Sequence, residues 1–317
     1  MTKVTVLSRS FSRHPVLRAE LLARYPDASF NDAGVSLSGE ELIKALRGHQ
    51  KAIIALEPIS ADVLDAVPEL RVIAKYGVGF DKIDLAALIT RDVSLGWAGG
   101  VNRRSVAELV IGFAISMLRK LPEANDAVCN DNWHQVVGRQ LSDCTIGIIG
   151  CGHVGQDLGR ILRAGFDCRV LAHDIQDHPT YYTETGVMPS SLDALLREAD
   201  VISVHLPHDT STANILDATH LSMIKASAIL INTARGGLVD EMAIKKMLKA
   251  GTLAGAAFDV FACEPPEDQE LLDLPNFFAT PHVGGSTQES ILAMGRAAID
   301  GLDDYRVPKK GIFPPGL

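Results

Sequence analysis

The chain has 317 residues, 47% of them hydrophobic and 22% charged, and a formal net charge of −9. Its length predicts about two globular domains, and an acidic balance without a block of like charge argues against a nucleic-acid partner or an anionic membrane surface. The five cysteines form no CxxC pair, which argues against a metal site or a disulfide framework and is typical of a cytoplasmic protein.

The first residues, MTKVTVLSRSF, run directly into a strand-like segment, so we expect no signal peptide. Short apolar runs then alternate with helical patterns. Several runs are continuous Val, Ile and Leu stretches, which is typical of parallel strands buried on both faces. The predicted strands are 4–7, 52–56, 72–76, 93–97, 146–149, 170–173, 201–205, 229–233, 253–258 and 278–280. The predicted helices include 107–118, 154–164, 192–197 and 242–250.

This repeated order predicts a doubly wound α/β architecture, with the strands before residue 97 in one group and those of 145–282 in another. A long helical stretch, 102–129, separates the two groups along the chain and is apolar enough to bury more than one face. The longest apolar helix candidate within it, 106–118, carries Glu108 near its start and is too short and too interrupted to span a bilayer. The tail, 306–317, is basic and then rich in Pro and Gly, so we expect it to lie extended on the surface.

The stretch TIGIIGCGHVGQDLGRIL, 145–162, indicates a dinucleotide site, because Gly150, Gly152 and Gly155 have GxGxxG spacing after an apolar strand. The first glycine allows a tight turn, the second allows the backbone to approach a pyrophosphate, and the third allows close packing of helix and strand. The following strand ends in Asp174, where a carboxylate can bind both ribose hydroxyls and repel the extra phosphate of NADP. The pattern therefore predicts NAD as the cofactor.

Three later strands each end in chemically useful side chains. AILINTARGG ends in Arg235, GAAFDVFACEPP carries Asp259 and Glu264, and FFATPHVGGST carries His282. Ligands bind beyond the carboxyl ends of parallel strands, so we expect these groups to converge on the cofactor crevice. A histidine held by a carboxylate can exchange a proton with a hydroxyl, and an arginine can bind a carboxylate with two hydrogen bonds. The set predicts hydride transfer on a 2-hydroxy or 2-oxo acid.

The motifs KYGVGFDKIDL, NRRSVAELVIG, GCGHVGQDLG, LINTARGGLVDE, AFDVFACEPP and TPHVGGSTQES occur in this order along nearly the whole chain. In them the sequence resembles the D-isomer-specific 2-hydroxyacid dehydrogenases, and most of all a short form of the phosphoglycerate dehydrogenase branch without a regulatory domain. The resemblance implies a Rossmann NAD-binding domain, 99–286. It also implies a discontinuous, flavodoxin-like substrate domain, 1–98 with 287–317, and a homodimer paired through the nucleotide domain.

The same resemblance implies a role for each matching site residue. Arg235 would bind the substrate carboxylate, His282 would be the acid–base and Glu264 its partner. The implied cofactor contacts are Gly150, Gly152, His153, Val154, Gly155, Asp174, Thr233, Ala234, Asp259, Gly284 and Gly285. The implied substrate contacts are Lys75, Tyr76, Gly77, Val78, Gly79 and Arg235.

The substrate is left open by the sequence. Phosphoglycerate-using members place basic residues in the loop that here reads ALEPIS, where Glu57 stands instead, which argues against 3-phosphoglycerate. Lys75, Arg103 and Arg104 could supply positive charge instead. Of these, Lys75 directly precedes the substrate loop and is the better candidate for contacting a distal group of the substrate. Three other functions remain as alternatives: a nucleotide-sensing corepressor, a phosphite oxidiser and, less favoured because that branch pairs its His with Gln, a formate dehydrogenase.

Overall fold

The computed structural model describes residues 2–309 and residue 313. In chain order its strands are β1 (Val4–Val6), β2 (Ser29–Phe30), β3 (Lys51–Ile54), β4 (Val72–Lys75), β5 (Ser94–Gly96), β6 (Thr145–Ile149), β7 (Arg169–His173), β8 (Met188–Pro189), β9 (Val201–Val204), β10 (Ile229–Asn232), β11 (Gly255–Phe258) and β12 (Phe277–Ala279). Its helices are α1 (Arg9–Arg13), α2 (Pro15–Arg24), α3 (Gly39–Leu46), α4 (Ala61–Ala66), α5 (Leu85–Thr90), α6 (Arg103–Leu118), α7 (Leu121–Cys129), α8 (His153–Phe166), α9 (Pro179–Thr185), α10 (Leu192–Glu198), α11 (Ala218–Leu221), α12 (Glu241–Ala250), α13 (Gln269–Leu272) and α14 (Gln288–Asp300).

The chain divides into two compact units. The first unit consists of Met1–Asn102 and Gln288–Leu317, and the second unit consists of Arg103–Thr287. Among the residues described, no helix combines the length and the apolar character needed to cross a bilayer.

The first unit contains a five-stranded parallel sheet with the order β2-β1-β3-β4-β5, which is the flavodoxin-like order. Apolar side chains of these strands enter two separate cores, one on each face of the sheet. One core includes Ile54, Ile73 and Leu95, and the other includes Val6 and Ile53. Both faces are therefore covered by helices, as a doubly wound sheet requires. The strand order reverses between β1 and β3.

The second unit contains a seven-stranded parallel sheet with the order β12-β11-β10-β9-β6-β7-β8. It too has a core on each face, because successive residues of a strand point to opposite sides. Along β10, Ile229 and Ile231 enter one core and Leu230 enters the other. The order reverses between β6 and β9, which places the fingerprint loop at the switch point of the sheet. The prediction of two doubly wound parallel sheets, one of the Rossmann type and one flavodoxin-like, is confirmed.

One partly buried carboxylate links the start of β6 to the start of β9. Asp200 accepts hydrogen bonds from the Thr145 N–H at 2.9 Å, and from the Arg139 and Lys225 side chains at 3.3 Å each. Burial raises the pKa of Asp200, but these three donors outweigh burial and lower the pKa below its ordinary value. The carboxylate thus holds the amino edge of the sheet in register.

The predicted helical stretch 102–129 is wrong as a single segment, because α6 ends at Leu118 and α7 begins at Leu121. Pro122 cannot donate to a carbonyl one turn earlier, and Lys120 adopts a left-handed φ of +50°. The Leu118 carbonyl instead accepts the Arg139 N–H at 3.0 Å. The sequence also missed the two-residue edge strands β2 and β8, which are too short to show a period.

In the predicted extended tail, Arg306 forms an antiparallel bridge with Leu95 of β5. The rest of that prediction falls partly on residues 310–312 and 314–317, which lie outside the described residues.

Candidate active site

The loop between β6 and α8 leaves its backbone open to a ligand at one position. Gly150 has a φ of +98°, and a Cβ there would lie 2.7 Å from the His205 backbone. A Cβ on Gly155 would lie 2.1 Å from the Gly150 carbonyl oxygen, whereas a Cβ on Gly152 would meet nothing within 4 Å. The fold therefore requires glycine at the first and third positions, and Gly152 exposes the backbone itself.

The helix that follows this loop begins without a side-chain cap. Gly152 is the N-cap of α8, and in the part of the chain that the structure describes no side-chain capping bond reaches the first turn, which contains His153, Val154 and Gly155. The first N–H groups of a helix have no partner within it, and the helix dipole favours an anion at this end. The geometry fits a pyrophosphate, as predicted for these residues.

Asp174 lies directly after β7 and connects this strand end to the fingerprint loop. One carboxylate oxygen accepts the Cys151 N–H at 2.6 Å, and the other accepts the Gln176 N–H at 2.8 Å. The His178 Nε2 atom lies 3.9 Å from the same carboxylate. The side chain of Asp174 thus holds the glycine loop, while its charge remains at the place predicted for a ribose.

The loop after β10 carries three of the predicted residues. Thr233 is 8% exposed, and within the described residues its buried hydroxyl has no hydrogen-bond partner. A buried hydroxyl without a partner is costly unless a ligand supplies one. The Ala234 N–H donates to the Asn232 side chain at 3.1 Å, and Arg235 donates to the Ala234 carbonyl at 2.7 Å.

The glycine after Arg235 lets this loop pass close to the one after β11. A Cβ on Gly236 would lie 1.9 Å from the Phe261 carbonyl oxygen, so any larger residue would separate the two loops. Because β10 and β11 are neighbours in the sheet, Arg235 and the segment that leads to Glu264 leave adjoining strand ends.

Asp259 is 1% exposed and organises the turn that carries His282. One of its carboxylate oxygens accepts the Thr280 hydroxyl at 2.5 Å and the Val283 N–H at 2.7 Å, and the other accepts the Gly284 N–H at 2.8 Å. The His282 N–H donates to the Asp259 backbone carbonyl at 2.9 Å. Asp259 was predicted to contact the cofactor; in the described residues its carboxylate binds the protein's own loop.

His282 and Glu264, predicted as an acid–base and its partner, are in hydrogen-bond contact. The His282 Nδ1 atom lies 2.8 Å from one Glu264 oxygen, and the other Glu264 oxygen accepts the Phe261 N–H at 3.1 Å. His282 has a left-handed φ of +55°. The side chains are 50% and 40% exposed, so a reactant can reach the imidazole. Gly284 and Gly285 continue the same turn.

Two supporting residues were missed by the sequence reasoning. Glu241, the first residue of α12, accepts the Ala262 N–H at 2.8 Å and so supports the Glu264 loop. Burial raises the pKa of Glu241 despite this hydrogen bond. The Ser105 hydroxyl of α6 donates to the Gly284 carbonyl at 2.6 Å. Both lie in motifs already noted, but their partners are distant in sequence, so nothing local identified them.

The predicted substrate residues of the first unit begin at Lys75, the last residue of β4, and continue into the loop after it. The Lys75 ammonium is buried and donates to the Ala55 carbonyl at 2.7 Å and the Tyr76 carbonyl at 2.9 Å. Lys75 therefore ties the loop after β3 to the loop after β4. Gly77 has a φ of +112°, and the Val78 carbonyl accepts the Trp97 indole N–H at 2.8 Å. Gly79 follows in the same loop. Glu57 is also buried and accepts the Ala55 N–H at 2.6 Å.

Comparison with known proteins identifies the family. Residues 111–284 match the family model of the D-isomer specific 2-hydroxyacid dehydrogenase, NAD binding domain. The chain belongs to the D-isomer specific 2-hydroxyacid dehydrogenase family. The match lies within the second unit and includes the fingerprint loop, Asp174 and the strand ends that carry Arg235 and His282.

Relatives with different activities are similar to the same extent. The chain is 36% identical to the D-3-phosphoglycerate dehydrogenase of Mycobacterium tuberculosis over 259 residues, which are 81% of this chain and 48% of that enzyme. It therefore spans about half the length of that dehydrogenase. It is 35% identical to the glyoxylate reductase of Thermofilum pendens over 88% of this chain and 84% of that enzyme. A solved structure of a Thermus thermophilus protein is 31% identical, with a TM-score of 0.83 over 95% of this chain and 94% of that chain.

The residues of the second unit fit NAD on the chain's own geometry. The exposed backbone at Gly152, the uncapped start of α8, the carboxylate of Asp174 and the unpartnered hydroxyl of Thr233 are each suited to a different part of a dinucleotide. The contact between His282 and Glu264 is of the kind that can fix the tautomer of an imidazole for proton transfer.

Proposed function

We propose that this protein is an NAD-dependent oxidoreductase that interconverts a small D-2-hydroxy acid and its 2-oxo acid. The observation that carries the proposal is the 2.8 Å contact between His282 and Glu264 in the unit that contains the dinucleotide fingerprint. Bound NAD would supply or accept the hydride. Within the protein, the fingerprint residues would hold the pyrophosphate, Asp174 the ribose, and Thr233 and Ala234 the nicotinamide ribose.

His282 would move the proton that accompanies the hydride. With Nδ1–H donated to Glu264, the Nε2 atom is available to the substrate oxygen, and the carboxylate stabilises the imidazolium. In the direction of reduction, Nε2–H donates to the carbonyl oxygen as it becomes a hydroxyl. Asp259 would hold this imidazole in place through the backbone on both sides of it.

Arg235 would bind the substrate carboxylate, because its planar guanidinium offers two parallel hydrogen bonds. In the first unit, the backbone N–H groups of Gly77, Val78 and Gly79 are the proposed substrate contacts. On this proposal the first unit is the substrate-binding domain and the second is the NAD-binding domain. The predicted boundaries are 1–98 with 287–317 for the former and 99–286 for the latter.

We also propose that two copies pair through the second unit in the cytoplasm. In the described single chain, α7 has no buried residue, although Leu121 and Val128 on it are about half exposed. The segment that follows exposes Trp133 and Val137 by 85% and 91%. Exposed large apolar side chains that lie close together along the chain are typical of an interface.

The test is oxidation of NADH, followed at 340 nm, with a panel of 2-oxo acids that includes glyoxylate, pyruvate, hydroxypyruvate and phosphonopyruvate. We expect turnover with at least one of them and its loss in His282→Ala, while NADH binding measured by calorimetry is retained. His220→Ala is a matched control, because His220 forms a similar 2.9 Å pair with Asp217 away from the strand ends. NADH binding without turnover of any 2-oxo acid would refute the proposed oxidoreductase activity and favour a nucleotide-sensing regulatory function.

A further inference from the structure

A cavity of about 440 Å³ lies at the carboxyl edge of the first unit's sheet. It is lined by residues that follow β1, β2 and β3, including Arg9, Arg13, Ser10, Ser36, Ser38 and Glu57. Because the strand order reverses between β1 and β3, this cavity occupies the switch point of the sheet. Ligands of open α/β sheets bind in the crevice at such a point.

Two arginines of the cavity, Arg9 and Arg13, differ from the paired Arg18 and Arg91 of the same unit. Arg18 is paired with Asp32 at 2.5 Å, and Arg91 with Asp65 at 2.7 Å. By contrast, within residues 2–309 and 313, neither Arg9 nor Arg13 has an ion pair or a hydrogen bond. In a chain with a net charge of −9, two guanidinium groups without acidic partners form a local site for an anion.

The conformation of the loop after β2 accommodates one of these groups. A Cβ on Gly34 would lie 1.9 Å from the Arg13 Nη2 atom, and Gly34 has a φ of +65°. The guanidinium therefore lies against the bare backbone. Ser38 is the N-cap of α3 but makes no side-chain capping bond, so its hydroxyl is available to the cavity.

The cavity adjoins the predicted substrate loop within the first unit. The Ser10 hydroxyl hydrogen-bonds the Tyr76 phenol, whose pKa is raised by burial and lowered in part by this bond. Tyr76 directly precedes Gly77. The Lys75 ammonium, bound to the Ala55 and Tyr76 carbonyls, joins the same two loops. A ligand held by the backbone at Gly77 can thus extend from the loop after β4 toward the loop after β3.

We propose that this cavity binds a second anionic group at the far end of the substrate, so that the substrate is a 2-oxo acid whose side chain ends in a carboxylate, phosphonate or phosphate. Arg9 and Arg13 supply the positive charge that the ALEPIS loop lacks, and the serines supply hydroxyl donors. Glu57, which accepts the Ala55 N–H, brings one negative charge to the lining against the two positive charges of Arg9 and Arg13. The lining therefore keeps a net positive charge, and Glu57 limits how much negative charge the cavity can bind. This inference rests on the proposed function.

The experiment compares kcat/KM for 2-oxo acids with and without a terminal charge, with NADH saturating. The matched pairs are 2-oxoglutarate against 2-oxopentanoate, and phosphonopyruvate against 2-oxobutanoate, which distinguish a carboxylate tail from a phosphonate. We expect the wild type to prefer one charged member. Because each charge-assisted hydrogen bond contributes appreciably, Arg9→Ala or Arg13→Ala should lower that preference by about 10- to 100-fold.

Arg47→Ala is the control, because this exposed arginine caps the opposite end of α3 and does not line the cavity. It should leave the preference unchanged. A wild type that prefers the uncharged members, or a preference that survives in the Arg9→Ala/Arg13→Ala double variant, would overturn the inference. If no 2-oxo acid is turned over, the proposed function fails. The cavity is then judged by calorimetric binding of phosphonopyruvate, which must be tighter than that of 2-oxobutanoate and weakened in the double variant.

Discussion

The network around Asp259 predicts a large and specific effect of Asp259→Asn. The carboxylate accepts three hydrogen bonds at 1% exposure, two on one oxygen and one on the other. An asparagine can keep the two bonds to Thr280 and Val283 only if its NH₂ group faces the Gly284 N–H. The variant then loses one bond to a buried charge and sets two donors against each other, which costs about 2–4 kcal/mol of the free energy of unfolding.

Chemical denaturation followed by far-UV circular dichroism measures this cost, and Asp193→Asn is the control. Asp193 is an exposed carboxylate in an i,i+4 pair with Arg197, so its substitution should change stability by less than about 0.5 kcal/mol. Because the same bonds fix the backbone on both sides of His282, kcat should also fall by about tenfold or more in Asp259→Asn. A stability loss below about 0.5 kcal/mol, or a normal kcat, would contradict the role given to this carboxylate.

Three further predictions concern the cofactor, the cysteines and acid stability. Asp174→Asn removes the charge that repels the extra phosphate of NADPH, so the preference for NADH over NADPH in kcat/KM should fall by about tenfold; an unchanged ratio would exclude Asp174 as the selecting group. Iodoacetamide at pH 8 should label the exposed thiol of Cys263 in the native protein and leave the three buried thiols unlabelled, as read by peptide mass spectrometry, with full labelling in denaturant as the control. Burial raises the pKa of the three protected thiols, Cys144, Cys151 and Cys168. The raised pKa is about 11 for Cys151 and for Cys168. Asp200 has a lowered pKa in the folded state, so its stabilisation is present above about pH 4 and is lost as the pH falls through the lowered value. The difference in unfolding free energy between wild type and Asp200→Asn should therefore be largest near pH 7 and shrink toward pH 3, and a difference independent of pH would contradict this assignment.

The fold could be predicted where each local pattern had a single physical explanation. The glycines at 150, 152 and 155 follow a continuous apolar strand. The structure has the backbone geometry that this spacing predicts, with a positive φ at Gly150 and a close backbone approach at Gly155. Continuous Val, Ile and Leu runs similarly identified the central parallel strands. The break between α6 and α7 was missed because the apolar character continues across Pro122, although a proline at that point could have indicated it.

The site was harder to predict where a side chain's role depends on distant residues. Asp259 precedes Glu264 in one short motif, but its hydrogen-bond donors belong to residues 280–284 and are positioned by the return of the chain through β12. Lys75 was expected to point at a substrate, yet its ammonium is bound to backbone carbonyls of its own unit. Periodicity and spacing describe neighbours along the chain, and these contacts arise only from tertiary packing.

The two strand-order reversals have a practical consequence for engineering. The reversal in the second unit accompanies the dinucleotide loop, and that in the first unit accompanies the cavity with Arg9 and Arg13. The segment 8–13 belongs to the first unit, whereas Glu264 and His282 follow β11 and β12 of the second unit. The segment is therefore encoded apart from these two residues. Grafting that six-residue segment from a relative should redirect substrate choice and leave the chemical step intact, so the two properties can be optimised in separate libraries.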